Sequence, residues 1–381
     1  MRKPVLILLI AALLLPLVPR AGAVELEVAG KSAVLMDAAT GTVLYEKNAH
    51  EPLAPASVTK VMTLLLIMEA IDSGKIRWVD MVTASETAAA KGGSQIYLKV
   101  GETMSVSDMV KSIAVSSAND CACAMAEHLS GSEAAFVETM NRRAKELGMN
   151  DTNFVNCTGL DDDPEAQNHK TSAYDIAVMS RELLTQHPDI KKYTTIWMDT
   201  VRNGAFGLSN TNKLVRFYSG ATGLKTGFTS TAGYCLSATA EREGMELIAV
   251  VMGAPTSKER NAACKSLLDM GFANYAVVSP QPQEETAVAV KLGSTERVRL
   301  VPGEQPKLLI DKALKGSITT EITLSEAVTA PVSRGQTLGT LTVRSADKLL
   351  AEIPLVAETE VARLTWTQLF TLVMQDIAMG S

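Results

Sequence analysis

Ser57-Val-Thr-Lys60, Ser117-Ala-Asn119 and Lys225-Thr-Gly227 follow one another along the chain, and each supplies a different part of a machine for opening an amide. Side chains at i and i+3 on a helix lie one above the other, so Lys60 reaches the Ser57 hydroxyl and gives an alcohol nucleophile its own amine base. That base must be neutral near pH 7. Apolar neighbours such as Val61 and Met62, with Lys225 as a second cation, would lower its proton affinity. Ser57 opens the helix, so its N–H has no intrahelical partner and can donate to a developing oxyanion. Ser117 is placed to pass a proton to a leaving amine, and the Asn119 amide can hold a peptide group. Lys225-Thr226-Gly227 reads as a strand on which Gly227 lets a substrate backbone approach, with the Phe228 N–H as the second oxyanion donor. Arg260, just past another strand, is a candidate fork for a terminal carboxylate, against the plainer reading of a solvated arginine.

These groups need a scaffold that brings distant segments together. Ser32 to Asp37 and Thr42 to Glu46 read as strands joined at Gly41, and Pro52 and Pro55 keep the chain extended before Ser57. The apolar run from Ser57 to Ile71 predicts a largely buried helix. Further helical patterns cover Val106 to Val115, Asp120 to Leu129, Glu133 to Leu147 and Ala173 to Leu184, which leaves Ser117 and Asn119 in an inter-helix loop. Strands return at Gly223 to Phe228, Tyr234 to Ala240 and Leu247 to Gly253. Helices set between two strand-forming ends predict an α+β domain: an antiparallel sheet whose first and last strands meet, with a helical cluster beside it.

The chain has 381 residues, 46% apolar content and a net charge of −6, enough for a full core in more than one domain. An acidic chain without a dense Lys/Arg cluster makes nucleic acid an unlikely partner by charge alone. Arg2 and Lys3, the apolar run Val5 to Val18 and the small residues Ala21-Gly22-Ala23 read as a secretory signal over 1–23, the run being shorter than the roughly 20 residues of a spanning helix. An uncleaved anchor is the other reading. A cleaved signal predicts that the mature protein works outside the cytoplasmic membrane.

Cys121, Cys123, Cys157, Cys235 and Cys264 read first as small core residues, with one bridge or a zinc site as alternatives. Cys121 and Cys123 point to different helix faces and cannot clasp one ion. His50, His128, His169 and His187 are the only histidines. With no G-x-S-x-G elbow and no H-E-x-x-H pair, a Ser-His-Asp triad and a metal centre lack support, and no cofactor is called for.

Composition changes at Ser279-Pro-Gln-Pro282. The first domain is therefore expected over 24–278 and a small all-β, sandwich-like domain over 283–357, with strands near Thr286 to Val290, Arg297 to Leu300, Lys307 to Ile310, Ile318 to Leu324, Thr337 to Val343 and Leu349 to Leu355. A second S-x-x-K match, Ser345-Ala-Asp-Lys348, falls in a turn of that domain. The tail, 359–381, carries an amphipathic helix with Trp366, Leu369, Phe370, Val373 and Ile377 on one face. It reads as an interfacial membrane anchor, or as a helix docked on the β domain or on a second subunit. Glu358, Glu360 and Asp376 outnumber Arg363, so apolar burial rather than anionic lipid would supply the affinity.

The three motifs in this order, within Leu53 to Lys60, Ser117 to Asp120 and Gly223 to Thr229, resemble the low-molecular-mass penicillin-binding proteins that act as serine-type D-alanyl-D-alanine carboxypeptidases. The resemblance covers nearly the whole chain and implies a transpeptidase-like fold. It implies removal of the last D-alanine from peptidoglycan pentapeptide stems through a Ser57 acyl-enzyme. Lys60 would be the base, Ser117 and Asn119 would complete the proton path, Lys225 and Thr226 would hold the substrate end, and Arg260 would sit near its carboxylate. β-Lactam antibiotics would acylate Ser57 as well, and the C-terminal helix would meet the outer face of the cytoplasmic membrane. Two features depart from the family pattern: the Gly159 to His169 segment is longer and more acidic, and the tail lacks basic residues. A β-lactamase, for which the acidic run Asp161 to Glu165 would have to supply a deacylating carboxylate, and a non-catalytic wall-binding scaffold are the alternatives.

Overall fold

The computed structural model describes residues 26–282, 286–303, 306–346 and 348–379. The expected signal segment, 1–23, lies outside the described residues. Strands β1 (Ser32–Asp37), β2 (Val43–Lys47), β3 (Ala221–Thr229), β4 (Gly233–Arg242) and β5 (Met245–Ala254) form one antiparallel sheet in the order β2-β1-β5-β4-β3. The first strand meets the last, Ser32 opposite Met252 through Asp37 opposite Leu247, as the helical insertion between two strand-forming ends predicts. β1, β4 and β5 are buried on both faces, which explains their continuous apolar runs in place of alternation.

One face of the sheet carries the helical cluster: α1 (Lys60–Asp72), α2 (Val106–Ser116), α3 (Asn119–Ser130), α4 (Glu133–Glu146) and α5 (Ala173–Gln186). α1 is apolar on all sides because it runs through the middle of this cluster, with Val61, Met62 and Leu64 to Met68 all buried. At about 1.5–3 kcal/mol per buried large aliphatic side chain, this one helix is a main source of the domain's stability. Ser105 and Ser132 cap α2 and α4 through hydroxyls that accept the Asp108 and Ala135 N–H groups.

The other face is covered by α6 (Ser257–Asn274), for which the sequence reading has no element. Thr256 caps it and Ala263, Cys264, Leu267, Leu268 and Phe272 enter a second core. All five cysteines are buried free thiols.

Beyond α6, Tyr275–Val278 pairs antiparallel with Leu308–Asp311, so the strand expected near Lys307 joins the end of the first domain and not the C-terminal sheet. That sheet has β6 (Ala287–Lys291), β7 (Arg297–Pro302), β8 (Ile318–Leu324), β9 (Ala327–Thr329), β10 (Thr337–Ser345) and β11 (Lys348–Ala357), in the order β8-β10-β11-β7-β6-β9. It encloses its own core of Val288, Leu300, Leu341, Val343 and Leu355. α7 (Trp366–Met379) closes the chain. Among the described residues no helix is long and apolar enough to cross a membrane.

Candidate active site

The nucleophile region begins with a correction. Ser57 does not open an α-helix: Ala56–Thr59 forms a single 3-10 turn, and α1 starts at Lys60. The tighter turn still stacks the two side chains, with Lys60 Nζ 3.0 Å from Ser57 Oγ. The amine also donates to the Thr158 carbonyl at 2.7 Å. Burial pulls the Lys60 pKa from 10.5 down to about 7, against weaker opposing pulls from Cys157 and Asp120. Enclosure is the main cause, and the Lys60–Lys225 repulsion that also lowers the Lys225 pKa acts in the same direction.

The turn is clamped from both sides by backbone. Gly227 on β3 faces it so closely that a Cβ there would lie 2.7 Å from the Pro55 carbonyl oxygen and 3.0 Å from the Ser57 nitrogen. The missing side chain at Gly227 thus makes room for the nucleophile's own turn. On the opposite side lies the segment 155–169. Asn156 Oδ1 accepts from Thr158 N, Thr158 Oγ1 and Gly159 N at 3.1, 3.1 and 2.6 Å, an Asx-type turn that fixes the carbonyl holding Lys60. Gly159, at φ +81°, carries its Hα toward the Ala56 carbonyl.

Ser117 ends α2 in the left-handed conformation, φ 63°, and Asn119 begins α3, so the motif spans the helix-to-helix corner as expected. Asn119 Nδ2 donates to the Gly92 carbonyl at 2.8 Å and its N–H to the Ser94 carbonyl at 2.7 Å. Ser117 Oγ and Asn119 Oδ1 are buried without a hydrogen-bond partner. Unpaired buried polar atoms are costly, so both are free to bond a substrate. The next residue, Asp120, accepts the Ile96 and Leu98 N–H groups and anchors the 96–98 strip.

β3 is the outer strand of the sheet, so one edge of its backbone is available for an added peptide. Lys225 is fully enclosed, and burial first, then Lys60 and Arg260, hold its pKa well below the usual lysine value. Thr226 Oγ1 donates to Thr211 Oγ1 at 2.6 Å. Phe228 is exposed and stacks on Tyr234, ring centroids 4.3 Å apart. Arg260 is no surface arginine: it lies in the first turn of α6 at 5% exposure, over the Tyr234 ring and near the Cys235 carbonyl. Among the described residues no carboxylate pairs with Lys225 or Arg260. Two buried basic side chains without a carboxylate partner suit a ligand anion. The second S-x-x-K, Ser345 to Lys348, sits at the β10–β11 hairpin, where Ser345 Oγ meets Ser317 Oγ.

Sequence reasoning passes over His169. It is buried beneath the nucleophile turn, Nε2 2.8 Å from Thr59 Oγ1 and Nδ1 3.0 Å from the Val155 nitrogen. No local pattern marks it, because its partners are remote in the chain. Glu133 is likewise unmarked: it accepts from Lys91, the Cys157 N–H and the Cys157 thiol, and so supports the residue next to Thr158.

The chain also resembles known proteins by family, sequence and fold. Residues 20–256 match the D-alanyl-D-alanine carboxypeptidase family, and residues 277–363 match the penicillin-binding protein 5 C-terminal domain. The chain is 43% identical to the D-alanyl-D-alanine carboxypeptidase DacF of Bacillus subtilis over 99% of each chain. Its fold is similar to that of penicillin-binding protein 5 from Haemophilus influenzae, at 32% identity and a TM-score of 0.73, covering 88% of this chain and 98% of that one. It is also similar to penicillin-binding protein D2 from Listeria monocytogenes in its ampicillin-bound form, at 33% identity and a TM-score of 0.57, covering 65% of this chain and 99% of that one. The chain belongs to the D-alanyl-D-alanine carboxypeptidase family and is a penicillin-binding serine hydrolase.

Proposed function

We propose that this enzyme removes the terminal D-alanine from peptidoglycan pentapeptide stems by a Ser57 acyl-enzyme route in which nucleophile, base and proton donor all lie in the first two motifs. The observation that carries the proposal is the Ser57–Lys60 contact at 3.0 Å, with an amine that burial leaves near half-neutral at pH 7. The stem's end lies along the β3 edge, and its terminal carboxylate meets Lys225, Thr226 and Arg260. Binding of that anion favours the charged form of Lys225, which enclosure disfavours.

Lys60 accepts the Ser57 proton as Oγ bonds to the penultimate carbonyl carbon. The carbonyl oxygen becomes an oxyanion between the Ser57 and Phe228 N–H groups. As the C–N bond breaks, its electron pair goes to the D-alanine nitrogen and the proton reaches that nitrogen through Ser117 Oγ. Asn119 Oδ1 accepts a stem N–H. Water then attacks the ester and restores Ser57. A β-lactam presents an amide and a carboxylate to the same groups, which supports its capture by Ser57.

The enzyme acts outside the cytoplasmic membrane, exported by the 1–23 segment. α7 attaches it to the outer face of the cytoplasmic membrane: Trp366 and Phe370 are 86% and 67% exposed, and no other described residue covers them. Release of D-alanine from a pentapeptide by the mature chain, abolished in Ser57→Ala and Lys60→Met with folding intact, is the expected result. Release unchanged in Ser57→Ala would overturn the route.

A further inference from the structure

We propose that His169 is a positioning residue for the nucleophile, acting through the Thr59 hydroxyl to hold Ala56 in the left-handed turn from which Ser57 projects. The inference rests on the reading of Ser57 as the nucleophile. Ala56 has φ +48°, a conformation that a residue with a Cβ adopts only when its surroundings impose it. The surroundings are a directed chain of hydrogen bonds. His169 Nδ1 receives the Val155 N–H at 3.0 Å, so that nitrogen carries a lone pair and Nε2 carries the proton. Nε2–H donates to Thr59 Oγ1 at 2.8 Å, which leaves the Thr59 hydroxyl to donate to the Ala56 carbonyl, also at 2.8 Å.

Each group in the relay has one role. His169 is 3% exposed and its ring abuts the Phe154 ring, centroids 5.7 Å apart. Burial, and after it the charge of Lys60, push its pKa down to about 4, so it stays the neutral donor throughout the working range. The Ala56 carbonyl is fixed on its other side by Gly159. Rotation of that peptide would move the Ser57 N–H and Oγ together, both of which must face the scissile carbonyl. His169, 110 residues from Thr59, thus ties the 155–169 segment to the geometry of the nucleophile.

The test compares the full mature chain with Thr59→Val, Thr59→Ser, His169→Asn and the Thr59→Val/His169→Asn double variant. Asparagine can still accept the Val155 N–H but cannot reach Thr59, so it removes the relay alone. Acylation of Ser57 by penicillin, timed by mass well below each variant's melting temperature, should slow by about tenfold to a hundredfold in Thr59→Val and in His169→Asn. Thr59→Ser should stay within about threefold of the parent, and the double variant should be no slower than the worse single one. The imidazole 15N shifts should show Nε2 protonated and Nδ1 not. Parental acylation rates in Thr59→Val, additive losses, or an Nδ1-protonated ring would each overturn the proposal. If His169→Asn does not fold, the Thr59→Val and Thr59→Ser pair still decides it. A penicillin adduct on a residue other than Ser57 in the parent would instead sink the underlying nucleophile reading.

Discussion

Gly159 and Ala56 meet backbone to backbone beneath the nucleophile: a Cβ on Gly159 would lie 1.8 Å from the Ala56 carbonyl oxygen and 2.4 Å from its carbon. Gly159 is also at φ +81°, so any larger residue is strained by its conformation and by the clash together. Gly159→Ala is expected to lower stability by about 2–3 kcal/mol and to slow penicillin acylation by at least tenfold, since the turn has nowhere to move but toward β3. Urea unfolding and acylation kinetics measure the two effects.

Lys60 sets the pH dependence. Its amine is a base only when neutral, so acylation should rise with pH along a limb centred at about 7. Lys60→Arg should abolish it, since guanidinium does not lose its proton.

The same residue makes a linked stability prediction. The folded pKa, about 7, lies below the unfolded 10.5, so between these values the unfolded chain binds more protons and stability rises with pH. Below about pH 7 the cost of burying the charge is complete. Lys60→Met should be inactive yet gain stability relative to the parent at pH 6.5, a gain that narrows by pH 9. Denaturation midpoints at the two pH values test the sign.

Arg260 and Lys225 are buried near each other, and among the described residues no carboxylate pairs with either. Arg260→Gln should cut kcat/KM for a pentapeptide by about 100-fold, roughly 2.7 kcal/mol, mostly through KM. A stem ending in a carboxamide should be a poor substrate for parent and variant alike. Equal losses on both substrates would assign Arg260 a structural role.

α7 leaves Trp366, Phe370, Val373 and Met374 exposed on a helix without basic residues. Mature chain should sediment with zwitterionic vesicles and resist release by salt, whereas Trp366→Ser/Phe370→Ser should remain in solution. Dimerisation without vesicle binding would assign the helix to a second subunit.

How much of this is legible in the sequence depends on the range of the contact. Ser57 and Lys60 are three residues apart, so helical geometry alone predicts their contact, and the Ser117 corner follows from the apolar runs on either side. The β1–β5 pairing follows from strands at both ends of a helical insertion. Contacts between remote segments leave no local trace. Gly159 beneath Ala56, Gly227 against Ser57 and His169 on Thr59 look like an ordinary loop glycine, a strand glycine and a lone histidine until the chain is folded. α6 escapes because its buried face uses Ala263, Cys264 and Gly271, small residues that weaken an apolar stripe, although Thr256 and Glu259 mark its start. The burial of Arg260 escapes with it.

The central claim is that Ser57 is the nucleophile, and intact mass after exposure to penicillin, with the adduct mapped to a peptide, tests it most directly. One adduct per chain on the peptide containing Ser57, absent from Ser57→Ala, is the predicted result. An adduct on another residue, or undiminished labelling of Ser57→Ala, would contradict it.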